Sequence, residues 1–134
     1  MDKLSQKRRS EIMGQVKGKD TTPELRARRA LHEMGYRFRL HRNNLPGKPD
    51  IVLPKYRLCI FVNGCFWHQH PGCRRATIPS SNIDFWVAKL ARTKERDAQN
   101  IEELSKLGWR VLVVWECETK DTGTLRQKIK NFLL

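Results

Sequence analysis

Residues 46–73 offer a carboxylate and two imidazoles, with two thiols and an adjacent Phe-Trp pair gathered within 65–73. The segment reads Pro46-Gly47-Lys48-Pro49-Asp50, then a short apolar run, then Asn63-Gly64-Cys65-Phe66-Trp67-His68-Gln69-His70-Pro71-Gly72-Cys73. Oxygen, nitrogen and sulfur donors at such spacing can hold metal ions and activate water against a phosphodiester. Flat rings beside them can press against stacked bases.

Asp50 opens an apolar strand directly after Pro49. A carboxylate at a strand end, facing a basic cleft, suits Mg²⁺. A lone Pro-Asp pair is more often an ordinary turn. The apolar strand behind it and the residues that follow favour the metal.

Cys65, His70 and Cys73 give Cys-x4-His-x2-Cys. Zn²⁺ takes four tetrahedral nitrogen or sulfur ligands, and such short spacings let one loop wrap it. The fourth ligand could be Cys117, just past the last strand, or His68, or Cys59. Cys117 is preferred. Cys59 lies among Leu58, Ile60 and Phe61, where a small buried hydrophobe is the simpler role. The cysteine count is four, and in a reducing cytosol a metal site is favoured over disulfides.

Sparing His68 from zinc leaves an imidazole beside Asp50. Its ordinary pKa of about 6.5 lets it take a proton from water at neutral pH. Asp97, next to the apolar stripe of a long helix, is a candidate orienting partner. Pairing with Lys94 or Arg96 is the duller alternative. Phe66, Trp67 and Trp86 can stack on bases or wedge between them, although each alone is more often core packing. A zinc deaminase is excluded: its signature needs Glu two residues after the zinc His, and here that residue is His70.

The elements that must position these groups follow from pattern. Thr21-Thr22-Pro23-Glu24 predicts a helix start with a capping box, Ala27, Ala30, Leu31 and Met34 form its apolar face, and Gly35 ends it. Tyr36–His41 alternates like a half-buried strand. Asn43–Gly47 is turn material. Residues 49–53 and 57–62 are short strands around Pro54-Lys55-Tyr56, and 63–80 form a long loop. Asn82 is expected to cap a helix ending at Gly108, with Val87, Leu90, Ala98, Ile101 and Leu104 inward. Trp109–Trp115 reads as a buried central strand. Thr122 starts a last helix with Leu125, Ile129, Phe132 and Leu133 inward. The order predicts an α/β sandwich with a small mixed sheet flanked by helices.

The chain has 134 residues, 27 Lys/Arg against 14 Asp/Glu and a net charge of +13. That charge points to a polyanion, because neutralising phosphates releases condensed counterions. Residues 1–18 read as a basic helix or arm and 19–134 as a single domain. No apolar run reaches spanning length and the N-terminus lacks a signal peptide's apolar core, so a cytoplasmic protein with no membrane partner is expected.

Pro-Gly-Lys-Pro-Asp50, Gly64-Cys65-Phe66-Trp67-His68-x-His70, Phe85-Trp86, Glu95-Arg96-Asp97, Gly108-Trp109-Arg110-Val111-Leu112 and Trp115-Glu116-Cys117 together resemble the very short patch repair (Vsr) endonucleases, in order and spacing, across nearly the whole chain. The resemblance implies a restriction-endonuclease-like fold of the PD-(D/E)XK type with a structural zinc. It implies an Mg²⁺-dependent nick 5′ to the thymine of a T·G mismatch left by deaminated 5-methylcytosine. Asp50 would bind the metal with the Val62 carbonyl, His68 would be the general base, and Asp97 its support. Glu24 would be the acidic residue of the N-terminal helix. Cys65, His70, Cys73 and Cys117 would hold zinc, and Phe66, Trp67 and Trp86 would intercalate. Asn63 stands where the family usually carries His; it can hydrogen-bond a phosphate but cannot transfer a proton. The implied partners are mismatched duplex DNA, MutL-type repair proteins and, downstream, DNA polymerase I, with the enzyme itself a monomer. The competing readings are a restriction-like or homing-type endonuclease of the same fold, and a zinc-stapled DNA-binding module without activity.

Overall fold

The computed structural model describes residues 20–133; the basic arm expected over 1–18 lies outside them. The elements are α1 (Thr22–Glu33), β1 (Arg39–Leu40), β2 (Ile51–Leu53), β3 (Leu58–Asn63), α2 (Ile83–Lys106), β4 (Arg110–Trp115) and α3 (Thr122–Leu133). Short 3₁₀ turns, Pro54–Tyr56 and Glu116–Lys120, follow β2 and β4.

The sheet runs β1-β2-β3-β4, antiparallel except for the parallel pair β3/β4. The expected mixed sheet between helices is therefore present. Strand residues alternate between two faces. One face sends Ile51, Leu53, Leu58, Ile60, Leu112 and Val114 against Ala27, Ala30 and Leu31 of α1 and Leu125 and Ile129 of α3. The other sends Val52 and Cys59, backed by Phe61 and Val111, against Leu104 of α2, Leu45 and Trp109. The result is three layers: α1 and α3, the sheet, and α2.

Four local expectations change. The β-branched run 109–115 is an edge strand among the described residues, not a central one, and its burial alternates. The inner strands are β2, buried throughout, and β3, whose first three residues are buried. Tyr36–His41 shrinks to a two-residue strand, because Tyr36 and Phe38 turn into the core instead of pairing. Asn82 precedes α2 in the left-handed region (φ 56°) and its side chain caps nothing. In α2 only Leu90 and Leu104 are buried; Val87 and Ala98 face out.

The start of α1 follows its sequence signal closely. Thr21 Oγ1 accepts the Glu24 amide at 3.3 Å, and Pro23 sits in the first turn where no amide is needed. Glu24 reaches back one residue further than a capping box would, accepting the Asp20 amide at 2.8 Å.

Candidate active site

The layers meet at one end of the sheet. The turn before β2 presents Asp50 there. That turn is fixed by Gly47 (φ 73°), where a Cβ would stand 2.8 Å from the Asn100 side chain on α2; any other residue would be strained there and would displace Asn100. Asp50 Oδ2 accepts the Val62 amide of β3 at 2.8 Å, tying the carboxylate to the end of the neighbouring strand. Its pKa is pushed up from 3.8 to about 6, chiefly by burial. The Val62 amide opposes that rise, Glu24 adds to it, and His41 and His68 offset it when their rings are charged.

Glu24 comes from α1 and is 2 % exposed. Its Oε2 accepts from the Asp20 amide and, at 3.2 Å, from Arg28. His68 comes from the loop after β3. Its Nδ1 lies 2.5 Å from Asp97 Oδ2, and both side chains are about three-quarters covered (27 % and 29 % exposed). Asp97 has no ion pair with Lys94 or Arg96 among the described residues. A ring nitrogen held by a carboxylate leaves the opposite nitrogen oriented for proton transfer. Asn63 is buried at the end of β3 and borders a narrow space with Asp97 and Asn100, so it lies on the α2 side of the sheet.

Phe66, Trp67 and Trp86 pack on one another. Ring centroids are 5.1 Å apart for Phe66–Trp67, 5.7 Å for Phe66–Trp86 and 5.8 Å for Trp67–Trp86. None is buried. Ile83, Phe85 and Val87 stand exposed on the same end of α2.

Cys65, His70, Cys73 and Cys117 place one donor atom each within 4.8 Å of one another. His70 Nδ1 is 3.7 Å from Cys65 Sγ and 3.4 Å from Cys117 Sγ. Tetrahedral Zn²⁺ with bonds of about 2.0–2.3 Å spaces its ligands roughly 3.5–3.8 Å apart, so the donor set fits that ion. Burial pushes the Cys65 thiol up, whereas the Arg75 amide lowers that of Cys73. A dication would supply the compensation that burial denies the Cys65 thiolate. His70 stacks on Trp115 at 4.2 Å, which sets its ring plane. His68 is outside this cluster, and Cys59 is fully buried in the core, as the simpler reading held.

His41 was not singled out from sequence. It lies in the left-handed region (φ 49°), its amide donates to the Asp50 carbonyl at 3.2 Å, and its ring joins Asp20 and Glu24. A lone His in an aromatic-basic alternation carries no signal of its own; only the turn back to Asp50 reveals it.

The fold also has relatives of known structure. The Homing Endonuclease I-Bth0305I Catalytic Domain superposes with a TM-score of 0.57 at 26 % identity, covering 84 % of this chain and 94 % of that one. A small mixed sheet between helices, shared with such a domain, is consistent with the restriction-endonuclease-like class. The family model for DNA mismatch endonuclease Vsr matches residues 1–75. The Type II nicking enzyme V.XorIIP of Xanthomonas oryzae pv. oryzae is 50 % identical over 132 residues, 98 % of this chain and 96 % of its own. DNA mismatch endonuclease Vsr of Escherichia coli (strain K12) is 43 % identical over 109 residues, 81 % of this chain and 69 % of its own. The class is thus a DNA endonuclease. Within it, the chain belongs to the DNA mismatch endonuclease Vsr family.

Proposed function

We propose that this protein nicks duplex DNA 5′ to the thymine of a T·G mismatch, with Mg²⁺ at Asp50. The observation that carries the reading is one end of a sheet where Asp50 and the His68–Asp97 pair come together, with an aromatic cluster on the same loop. The site suits a hard cation. Asp50 is a carboxylate whose charge is disfavoured by burial and by Glu24, and a cation relieves both. The Val62 carbonyl is the second contact, because the amide and carbonyl of one strand residue project to the same side and this amide points at Asp50. Mg²⁺ bound there would neutralise charge on the scissile phosphate.

The chain's own groups then divide the work. His68 takes the proton of the attacking water. Asp97 holds the ring and stabilises the imidazolium that forms. Glu24, fixed by the Asp20 amide and Arg28, supplies a second acid near Asp50. Asn63 donates a hydrogen bond beside Asp97 rather than a proton. Phe66, Trp67 and Trp86 form the wedge. Because their edges already brace one another, insertion costs little side-chain entropy, and unstacking is least costly at a mispaired step. Cys65, His70, Cys73 and Cys117 hold Zn²⁺ and pin the loop that carries both His68 and the wedge. The enzyme acts as a monomer, and its nick is passed to MutL-type repair proteins and DNA polymerase I. The homing-endonuclease neighbour keeps a second reading open, a sequence-specific endonuclease indifferent to mispairing.

Two outcomes test these roles at the residue level. His68→Ala is expected to lower the single-turnover nicking rate roughly 10²–10⁴-fold while zinc content stays unchanged. Zinc leaving with His68 would mean that His68, not His70, is a ligand. Trp67→Ala is expected to lower the ratio of T·G to T·A nicking on one duplex, while salt-sensitive nonspecific binding persists. An unchanged ratio would make Trp67 a packing residue.

A further inference from the structure

The corner where α1 meets β1 holds a network that the reading above leaves unused. Arg28 Nη2 lies 2.7 Å from Asp20 Oδ1, 3.2 Å from Glu24 Oε2 and 3.0 Å from His41 Nε2. Arginine only donates, and it keeps its charge at any working pH. At 3.0 Å from that group, His41 Nε2 must accept, so the ring proton sits on Nδ1. The carboxylates do not compete for a proton on Nε2. Asp20 and Glu24 stand 3.6 and 3.7 Å from it, beyond a hydrogen bond. The His41 Nδ1–H has no acceptor among the described residues, and the side chain is 27 % exposed. The backbone fixes the same corner, since the His41 amide donates to the Asp50 carbonyl. His41 therefore flanks Asp50 from the α1 side of the sheet, whereas His68 flanks it from the α2 side.

We propose that His41 is a further substrate-contacting residue, donating its Nδ1–H to a phosphate oxygen at the nick, and that Arg28 is the positioning residue that sets its tautomer. The proposal rests on the nicking site described above. With His68 committed to water on one flank of Asp50, His41 is the donor on the other. A donor pre-set in the free protein costs no reorganisation when charge builds on the phosphate. Arg28 contributes without touching substrate. It gives the buried Glu24 a countercharge and leaves His41 one way to carry its proton.

The backbone dictates the variants. At φ 49° alanine would be strained, whereas glycine and asparagine accept that conformation. His41→Gly removes the donor and His41→Asn keeps an N–H. On a T·G duplex with saturating protein, His41→Gly should slow nicking roughly 10²–10³-fold with little loss of binding. His41→Asn should recover at least about tenfold of that. Arg28→Gln should slow nicking in wild-type protein and cost less in the His41→Gly background, the shared part being what acts through His41 and the remainder what acts through Glu24. Nitrogen-15 spectra of the imidazole in the free protein read the tautomer without any activity. Nε2 should be the unprotonated nitrogen, and Arg28→Gln should mix the tautomers. Wild-type nicking rates in His41→Gly, no advantage of Asn over Gly, or a ring protonated on Nε2 would each overturn the proposal. A wild-type protein that nicks no T·G duplex would instead refute the function itself, and the tautomer measurement would still decide the claim for Arg28.

Discussion

Asp50→Asn is expected to abolish nicking and, in the same protein, to raise the stability of the metal-free enzyme at neutral pH. The two effects share one cause. The folded state holds the Asp50 pKa at about 6 against an ordinary 3.8, so folding disfavours the ionised form. For such a raised acid, stability is complete below pH 3.8 and is lost as pH rises through about 6. Asparagine has no charge to lose, and its Oδ1 can still accept the Val62 amide. The shift corresponds to about 2–3 kcal/mol at pH 7.5 and to nearly nothing at pH ~3. Denaturant unfolding without metal, at both pH values, measures it. Added Mg²⁺ should stabilise the wild type and leave Asp50→Asn unmoved, since only a site that binds gains by mass action. A variant less stable than wild type at pH 7.5 would mean that the carboxylate is structural. For the wild type, Mg²⁺ affinity should fall as pH drops through about 6, as the metal-free carboxylate is protonated.

The second large effect belongs to zinc. Purified protein is expected to carry one Zn²⁺, and Cys117→Ala or His70→Ala to lose it. The cluster ties the loop after β3 to the 3₁₀ turn after β4, where the Arg75–Glu116 ion pair at 3.2 Å also joins them. Binding energy at such a site is folding energy, so removal should cost at least several kcal/mol and loosen the loop that carries Phe66, Trp67 and His68. Elemental analysis with thermal unfolding checks both halves. Zinc-free protein of unchanged stability would contradict the assignment.

Much of this was legible in the chain. Local signals served well where one residue has one physical job. Thr21, Pro23 and Gly35 bound α1, Cys59 is a core thiol, and Cys65, His70, Cys73 and Cys117 meet. The pairing of His68 with Asp97, across 29 residues, was reachable because a carboxylate beside an apolar stripe needs a partner. What failed was tertiary. Apolar content of 109–115 suggested a central strand, yet an edge strand covered by helices on both faces reads the same way in sequence. Ala98 and Val87 fit a helical period but face outward, because the covered face of α2 runs through Leu90, Thr93, Asp97, Ile101 and Leu104. His41 stayed hidden because its meaning lies in the turn that brings it back beside Asp50, and in an arginine from another element.

The central claim is that mispairing, rather than sequence alone, directs the nick. It is tested most directly by single-turnover cleavage of one duplex in its T·G, T·A and C·G forms, with Mg²⁺, across a panel of flanking sequences. The expected result is nicking on the thymine strand, 5′ to that base, that depends on the T·G pair and disappears without Mg²⁺. Equal cleavage of the matched duplexes, in any context where the T·G form is cut, would contradict it.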